Sequence, residues 1–227
     1  DCFEGDHLAP LIQVLRQAGW APEAIPGTAC CGLTWITTGQ REQAARRLRG
    51  ALDILHPYAA AGVPVLGVEP SCLAVLRSDA ADLVDDPRLA VVSAATRTLA
   101  ELLADSPGFR PPDLTGTHLV VQPHCHHASV LGWEADAALL ARTGATVTTL
   151  GGCCGLAGNF GVERGHYDVS VAVAEDQLLP AIRAAGPDAV LLADGFSCRT
   201  QVADLTGRRA LTLAEVLAEP PVPGPAP

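Results

Sequence analysis

The chain has 227 residues, 48% of them apolar and 18% charged, which is long enough to bury a sizeable core and too apolar for intrinsic disorder. Fifteen Lys and Arg against 25 Asp and Glu leave a formal charge of −10, the wrong sign for a body that grips nucleic acid through its phosphates. No apolar run reaches the roughly 18 residues of a membrane span.

In chain order, the opening Asp1-Cys2, the absence of Met and the lack of a charged-then-apolar leader read as a piece of a longer protein. Leu8, Leu11, Ile12 and Leu15 then fall at helical spacing, and Gly19 stops the helix. A weak strand is expected over residues 20–28, entering Cys30-Cys31-Gly32. A long helix follows over about 41–61 and closes at Gly62. An apolar strand over 63–68 runs into Ser71-Cys72, and Thr98-Leu99-Ala100-Glu101-Leu102-Leu103 reads as a helix.

Residues 105–117 carry Pro107, Gly108, Pro111, Pro112 and Gly116 and form the expected boundary. Beyond it a strand over 117–122 leads to Cys125, and the run from Val130 to Leu140 is helical until Gly144. A strand over 145–150 enters Cys153-Cys154-Gly155, and a long helix over 162–185 closes at Gly186. A strand over 189–193 reaches Ser197-Cys198, and Thr212-Leu213-Ala214-Glu215-Val216-Leu217 repeats the earlier helical text. The last nine residues, 219–227, hold five prolines and read as a disordered tail.

The eight cysteines fall in two sets with the same first step, 28 residues from Cys2 to Cys30 and 28 from Cys125 to Cys153. Each set then places a single Ser-Cys about forty residues after its vicinal pair. Such spacing is an internal duplication. Strands alternating with helices imply parallel sheets with helices on their faces. The expected fold is therefore α/β, with two Rossmann-like lobes related by a pseudo-twofold axis. The lobes are residues 1–106, whose leading strand is absent, and 117–218, joined by a linker over 107–116.

Sites in α/β sheets gather at the carboxyl ends of strands. That is where the alternation puts Cys125, the Cys153-Cys154 pair and Cys198, with Cys2, Cys30, Cys31 and Cys72 in the corresponding places of the first half. Gly32 and Gly155 allow the turn that aims two neighbouring thiols at one point, and a helix start close by favours the negative charge of thiolates. Disulfides and inert buried thiols account poorly for a duplicated vicinal pair. Zinc commonly uses two cysteines a few residues apart, whereas vicinal pairs combined with distant singles suit an iron–sulfur cluster. Both metals stay open.

His7, His124 and His126 are candidates for a metal ligand or for support of one, and Arg199, like Glu163 and Arg164, for facing an anion or balancing charge. His166 reads as exposed. Trp35 is expected either over the first thiol site or in the core. The glycine-rich stretch 151–161 lacks the Gly-Lys-Ser/Thr of a phosphate loop.

The doubled Cys-Cys-Gly with Ser-Cys (30–32 with 71–72, 153–155 with 197–198) resembles the CCG, or cysteine-rich, domain family. That family includes the catalytic part of heterodisulfide reductase and the iron–sulfur part of glycolate oxidase. The text of residues 151–161 and 193–201 is most similar to the C-terminal region of FAD-linked D-lactate and D-2-hydroxyglutarate dehydrogenases. The resemblance implies an electron-transfer module holding a 4Fe-4S type cluster, or zinc in one or both lobes. Its partners would be upstream flavin and ferredoxin-like domains or subunits and an electron acceptor, with FAD only on the upstream part. It implies a cytoplasmic location, or membrane association through a partner. One departure stands out: heterodisulfide reductase has five cysteines per half, the last two as CxxC, whereas Glu69-Pro70-Ser71-Cys72 and Gly195-Phe196-Ser197-Cys198 offer one. A structural zinc module that docks partners and a thiol–disulfide reductase are the competing readings.

Overall fold

The computed structural model describes residues 8–218. Cys2, His7 and the proline-rich segment 219–227 lie outside the described residues.

The first half begins with α1 (Leu8–Gln17), α2 (Leu33–Thr37) and the long α3 (Arg41–Ala60). Ala44, Leu48, Ala51, Leu52 and Leu55 make one buried stripe along α3, the apolar face of a helix lying on a core. Then come β1 (Val65–Leu66), α4 (Pro70–Arg77), α5 (Arg88–Ala95), β2 (Thr96–Arg97) and α6 (Leu99–Ala104), with β1 and β2 paired in parallel. The second half runs β3 (His118–Val121), α7 (Glu134–Ala141), β4 (Thr146–Thr149), α8 (Tyr167–Asp176), α9 (Leu178–Ala185), β5 (Val190–Leu192), α10 (Phe196–Thr206), β6 (Ala210–Leu211) and α11 (Leu213–Ala218). Its strands form a parallel sheet in the order β4-β3-β5-β6. The fold is α/β with parallel sheets.

Alternation along the strands divides the second core into two layers. Leu119, Val121, Val190 and Leu192 face one side, together with Leu139, Leu140, Leu213, Val216 and Leu217. Val120 and Leu191 face the other, with Leu178, Leu179, Ile182 and Val202. The first of these layers also holds Val14 of α1 and Ala100 and Leu103 of α6, and Gln13 Nε2 donates to the Ala218 carbonyl at 3.0 Å. Two helices of the first half thus pack on α11 and α7 of the second and share their core layer. Phe109 and Leu114, within the stretch read as a linker, are 2% exposed and belong to the same layer.

The repeated Thr-Leu-Ala-Glu text forms the same structure twice. Thr98 and Glu101 make a reciprocal capping box at the start of α6. Thr212 and Glu215 do the same at α11, with the Glu215 amide donating to Thr212 Oγ1 at 3.2 Å and the Thr212 amide to Glu215 Oε2 at 2.7 Å. Each box satisfies amides that a helix start leaves without partners.

Three expected elements differ. Residues 20–28 form no strand: Pro22 and Pro26 remove ladder donors, and Gly27 turns the chain at φ +89°. The expected helix 162–185 is two, α8 and α9, parted at Gln177 (φ −136°, ψ −46°). Pro180 explains the break, because its ring excludes a helical carbonyl four residues back, at Asp176. The helical run after Cys125 is likewise divided, into a π-helical turn over His127–Leu131 and α7, by Gly132 at φ +92°.

Candidate metal centre

Each thiol of the second half sits where a strand gives way to a loop or helix. Cys125 follows β3, Cys153 and Cys154 follow β4, and Cys198 lies in the first turn of α10, directly after β5. Cys154 and Cys198 are buried, Cys153 is half-buried and Cys125 is exposed.

The four are neighbours, Cys125 acting on Cys153, Cys153 on Cys154 and Cys154 on Cys198. Cys153 is the one whose pKa is lowered. Its bonds to Cys125 and Cys154 hold it far below the ordinary thiol range, helped by the Gly155 amide, which donates to its Sγ at 3.3 Å. Those same hydrogen bonds, and then burial, push Cys125 and Cys154 above that range. Four neighbouring thiols, one with a lowered pKa, are a ready donor set for a soft metal, which takes thiols in deprotonated form.

Glycine makes this geometry possible at two places. Gly155 has φ +94°, and a Cβ there would stand 2.2 Å from the Ser170 carbonyl oxygen of α8. Gly195 has ordinary backbone angles, but a Cβ there would stand 2.2 Å from His124 Cδ2. The Cys-Cys loop therefore rests against α8, and the start of α10 against the His124 ring. Gln201 Nε2, donating to Ser170 Oγ at 2.9 Å, ties α10 to α8 beneath the loop. Gln177, freed by the helix break, accepts the Gly151 amide at 3.0 Å.

In the first half Cys31 Sγ and Cys72 Sγ are 3.0 Å apart, well beyond the roughly 2.05 Å of a disulfide. Their hydrogen bond holds Cys31 low and, with burial, drives Cys72 high. Cys30 is half-buried beside them. Gly32, at φ +80°, brings the turn against α3, where its Cβ would meet Ala44 O at 3.2 Å. The seven described cysteines are all free thiols.

Among the histidines, His124 is 7% exposed. Burial lowers its pKa, opposed by the charges of Glu69 and Cys153. Its Nδ1 accepts the His126 amide at 3.2 Å, and the two rings meet edge-on at 5.3 Å. His126 Nδ1 is buried without a hydrogen-bond partner. Arg199 is buried and donates to the carbonyls of Ala193 and Asp194, so it braces the turn from β5 into α10. His166 stacks on Phe160 at 4.2 Å and pairs with Glu163 at 3.3 Å. Trp35 lies under the Arg47 guanidinium at 4.8 Å.

Glu69 is a residue that sequence reasoning missed. Its Oε1 accepts the Ser71 hydroxyl at 2.8 Å and the Ser71 amide at 3.4 Å, capping α4. Its Oε2 accepts the Phe196 amide at the start of α10 at 2.9 Å, and His124 Nε2 is 4.0 Å from Oε1. One carboxylate of the first half thus holds both Ser-Cys helices by their positive ends. Glu followed by Pro at the first helical position is the signal that could have found it.

A single tetrahedral zinc with Zn–S bonds near 2.3 Å needs every pair of its four sulfurs about 3.8 Å apart. Among the described residues, the group of three or more potential ligand atoms lying mutually within 4.8 Å is not made of cysteines. No three of the described sulfurs therefore lie mutually within 4.8 Å.

Residues 132–203 match the cysteine-rich domain model of the CCG family, a stretch that includes Cys153, Cys154 and Cys198. Over 209 residues, 90% of its length, the chain is 27% identical to D-2-hydroxyglutarate dehydrogenase of Escherichia coli (strain K12) and spans 20% of that protein. It is 27% identical over 216 residues to one subunit of the anaerobic glycerol-3-phosphate dehydrogenase of the same organism, a match that takes in 92% of this chain and 54% of that relative. A D-2-hydroxyglutarate dehydrogenase of Pseudomonas putida is 27% identical over 171 residues, 73% of this chain and 16% of that protein. The chain thus spans about one fifth of the first of these relatives and about half of the second. It carries, over residues 132–203, a cysteine-rich domain of the CCG family.

Proposed function

We propose that the chain is the iron–sulfur electron-transfer module of an FAD-linked 2-hydroxyacid dehydrogenase of the D-lactate or D-2-hydroxyglutarate type. The observation that carries this reading is the set of four neighbouring thiols at one sheet edge, with the pKa of Cys153 lowered. Cys125, Cys153, Cys154 and Cys198 would hold the centre. Cys30, Cys31 and Cys72, with Cys2, would hold its counterpart. A bound 4Fe-4S type cluster supplies reversible one-electron chemistry. The chain's own residues hold it: the Gly155 amide stabilises thiolate charge at Cys153, and buried His124 faces that thiolate with Glu69 behind it. Electrons would arrive from flavin and ferredoxin-like parts of the larger assembly and leave to an acceptor.

The reading extends to two duplicated lobes, residues 1–106 and 117–218. Its support is the shared order of strand, Ser-Cys helix, strand and capped Thr-Leu-Ala-Glu helix in β1-α4-α5-β2-α6 and β5-α10-β6-α11, the first half having α5 in addition. Free thiols suit a reducing compartment, in keeping with a cytoplasmic location. Among the described residues no helix is long and apolar enough to cross a membrane. The larger share of the glycerol-3-phosphate dehydrogenase relative that is matched favours one second reading, in which the module is a separate polypeptide serving a different alcohol donor.

Purification without air, followed by iron, sulfide and zinc analysis, tests the proposal. Iron with acid-labile sulfide and a broad brown absorption is expected, with the share held by the second half lost in Cys153→Ser. Stoichiometric zinc without iron would overturn it in favour of a structural zinc module. Metal-free protein with reactive thiols would point to a thiol–disulfide reductase. The isolated chain is expected not to oxidise D-lactate or D-2-hydroxyglutarate with an added dye.

A further inference from the structure

Where the two halves meet, three potential ligands other than the thiols converge. His127 opens the π-helical turn, Asp136 lies in the first turn of α7, and Asp194 follows β5. His127 Nε2 is 3.1 Å from Asp136 Oδ2, and one ligand atom from each of the three residues lies within 4.8 Å of the others. His127 is 2% exposed and Asp136 1%.

The cluster is under-satisfied. Asp136 Oδ1 and His127 Nδ1 are buried without a hydrogen-bond partner. A native structure rarely leaves such atoms unmatched, and an ion or water usually accounts for them. All three residues line a cavity of about 50 Å³, walled by Val68, Leu73 and Leu99 of the first half and Leu213 of the second. That space admits a water as a further ligand. Two carboxylates in so apolar a seam call for positive charge: burial, and to a smaller extent the neighbouring Asp136, push the Asp194 carboxyl up to about 6. Asp194 Oδ1 also accepts the Leu213 amide at 2.8 Å, which fixes its orientation in the way that outer contacts fix metal ligands.

We propose that His127, Asp136 and Asp194 form a divalent-cation site, separate from the thiols, that takes a metal of the manganese, ferrous iron or zinc class. One imidazole and two carboxylates are donors that such ions accept. A metal there would neutralise the buried carboxylates and pin the π-helical turn, α7 and β5 beside the first half's Val68 and Leu99.

Manganese(II) is the test ion, because it prefers oxygen and nitrogen over sulfur and its free form is counted by EPR. The whole chain, with its cysteines intact, is titrated with manganese(II) alone. One saturable equivalent is expected, with pulsed-EPR coupling to a single imidazole nitrogen. Asp136→Asn should weaken binding at least tenfold, while Asp168→Asn, at an exposed carboxylate of α8, should bind as the parent does. Absence of saturable binding, binding without nitrogen coupling, or unchanged binding by a folded Asp136→Asn each overturns the proposal. If Asp136→Asn does not fold, the nitrogen coupling in the parent chain decides. No binding would favour two carboxylates that share a proton.

Discussion

Replacing Gly155 by alanine tests the packing on which the thiol string depends. Two costs add at this position. A residue with a side chain in the left-handed region costs about 1–2 kcal/mol, and Gly155 sits at φ +94°. Its new Cβ would stand 2.2 Å from the Ser170 carbonyl oxygen and 3.1 Å from the Ser170 carbonyl carbon. Because the obstacle is helix backbone, which cannot swing aside, the overpacking cost is about 1–3 kcal/mol. The sum, about 2–5 kcal/mol, corresponds to a fall in Tm of about 4–20 °C for a chain of this size.

Gly158 provides the internal control. It also has positive φ, +72°, but a Cβ there meets nothing within 4 Å, so Gly158→Ala bears only the backbone cost of about 1–2 kcal/mol. Urea unfolding of both variants beside the parent, supported by thermal melts, separates the two terms. If Gly155→Ala is no less stable than Gly158→Ala, the Cys-Cys loop does not rest on α8. The placement of Cys153 and Cys154 argued from that contact would then be wrong.

Glu69→Ala should cost about 2.5–4 kcal/mol, combining a lost helix cap of about 1 kcal/mol with a charged hydrogen bond between the halves of about 1.5–3 kcal/mol. Glu69→Gln, which keeps one acceptor oxygen, should lose less than half of that in the same denaturation experiment, and equal losses would show that acceptor geometry is not the cause. Asp86, hydrogen-bonded by the Arg88 side chain and amide, is held down to about 2. Because its folded pKa lies below the usual 3.8, the stabilisation is complete above about pH 4 and disappears as pH falls through about 2. An NMR titration of its carboxyl should find the low midpoint, and Arg88→Ala should return it towards 3.8; a midpoint already near the usual value in the parent would refute the pairing.

What is legible in the sequence is what depends on neighbours along the chain. The Thr-x-x-Glu boxes at Thr98 and Thr212, the strands ahead of Ser-Cys and the meeting of Cys125, Cys153, Cys154 and Cys198 follow from local pattern plus the general placement of sites at strand ends. Pro180 carries enough information to divide the helix over 162–185, although the apolar periodicity runs straight through it. Pro22 and Pro26 likewise argue against a strand. The remaining features depend on distant partners. Val14 of α1 is buried in one layer with Val216 and Leu217, about two hundred residues away, and no periodicity names that partner. Glu69 matters through the Phe196 amide, a contact that exists only once the halves are together. Buried Asp136 looks in the sequence like any acidic residue near a helix start.

The packing of one half's helices on those of the other bears on how this polypeptide could be divided. Expressed without α1 and α6, residues 117–218 would present to water the sides of α11 and α7 on which those two helices now pack. A gene cut at the proline-rich stretch would therefore yield two sticky fragments instead of two miniature proteins. α1 and α6 belong to the core of the other half as much as to their own.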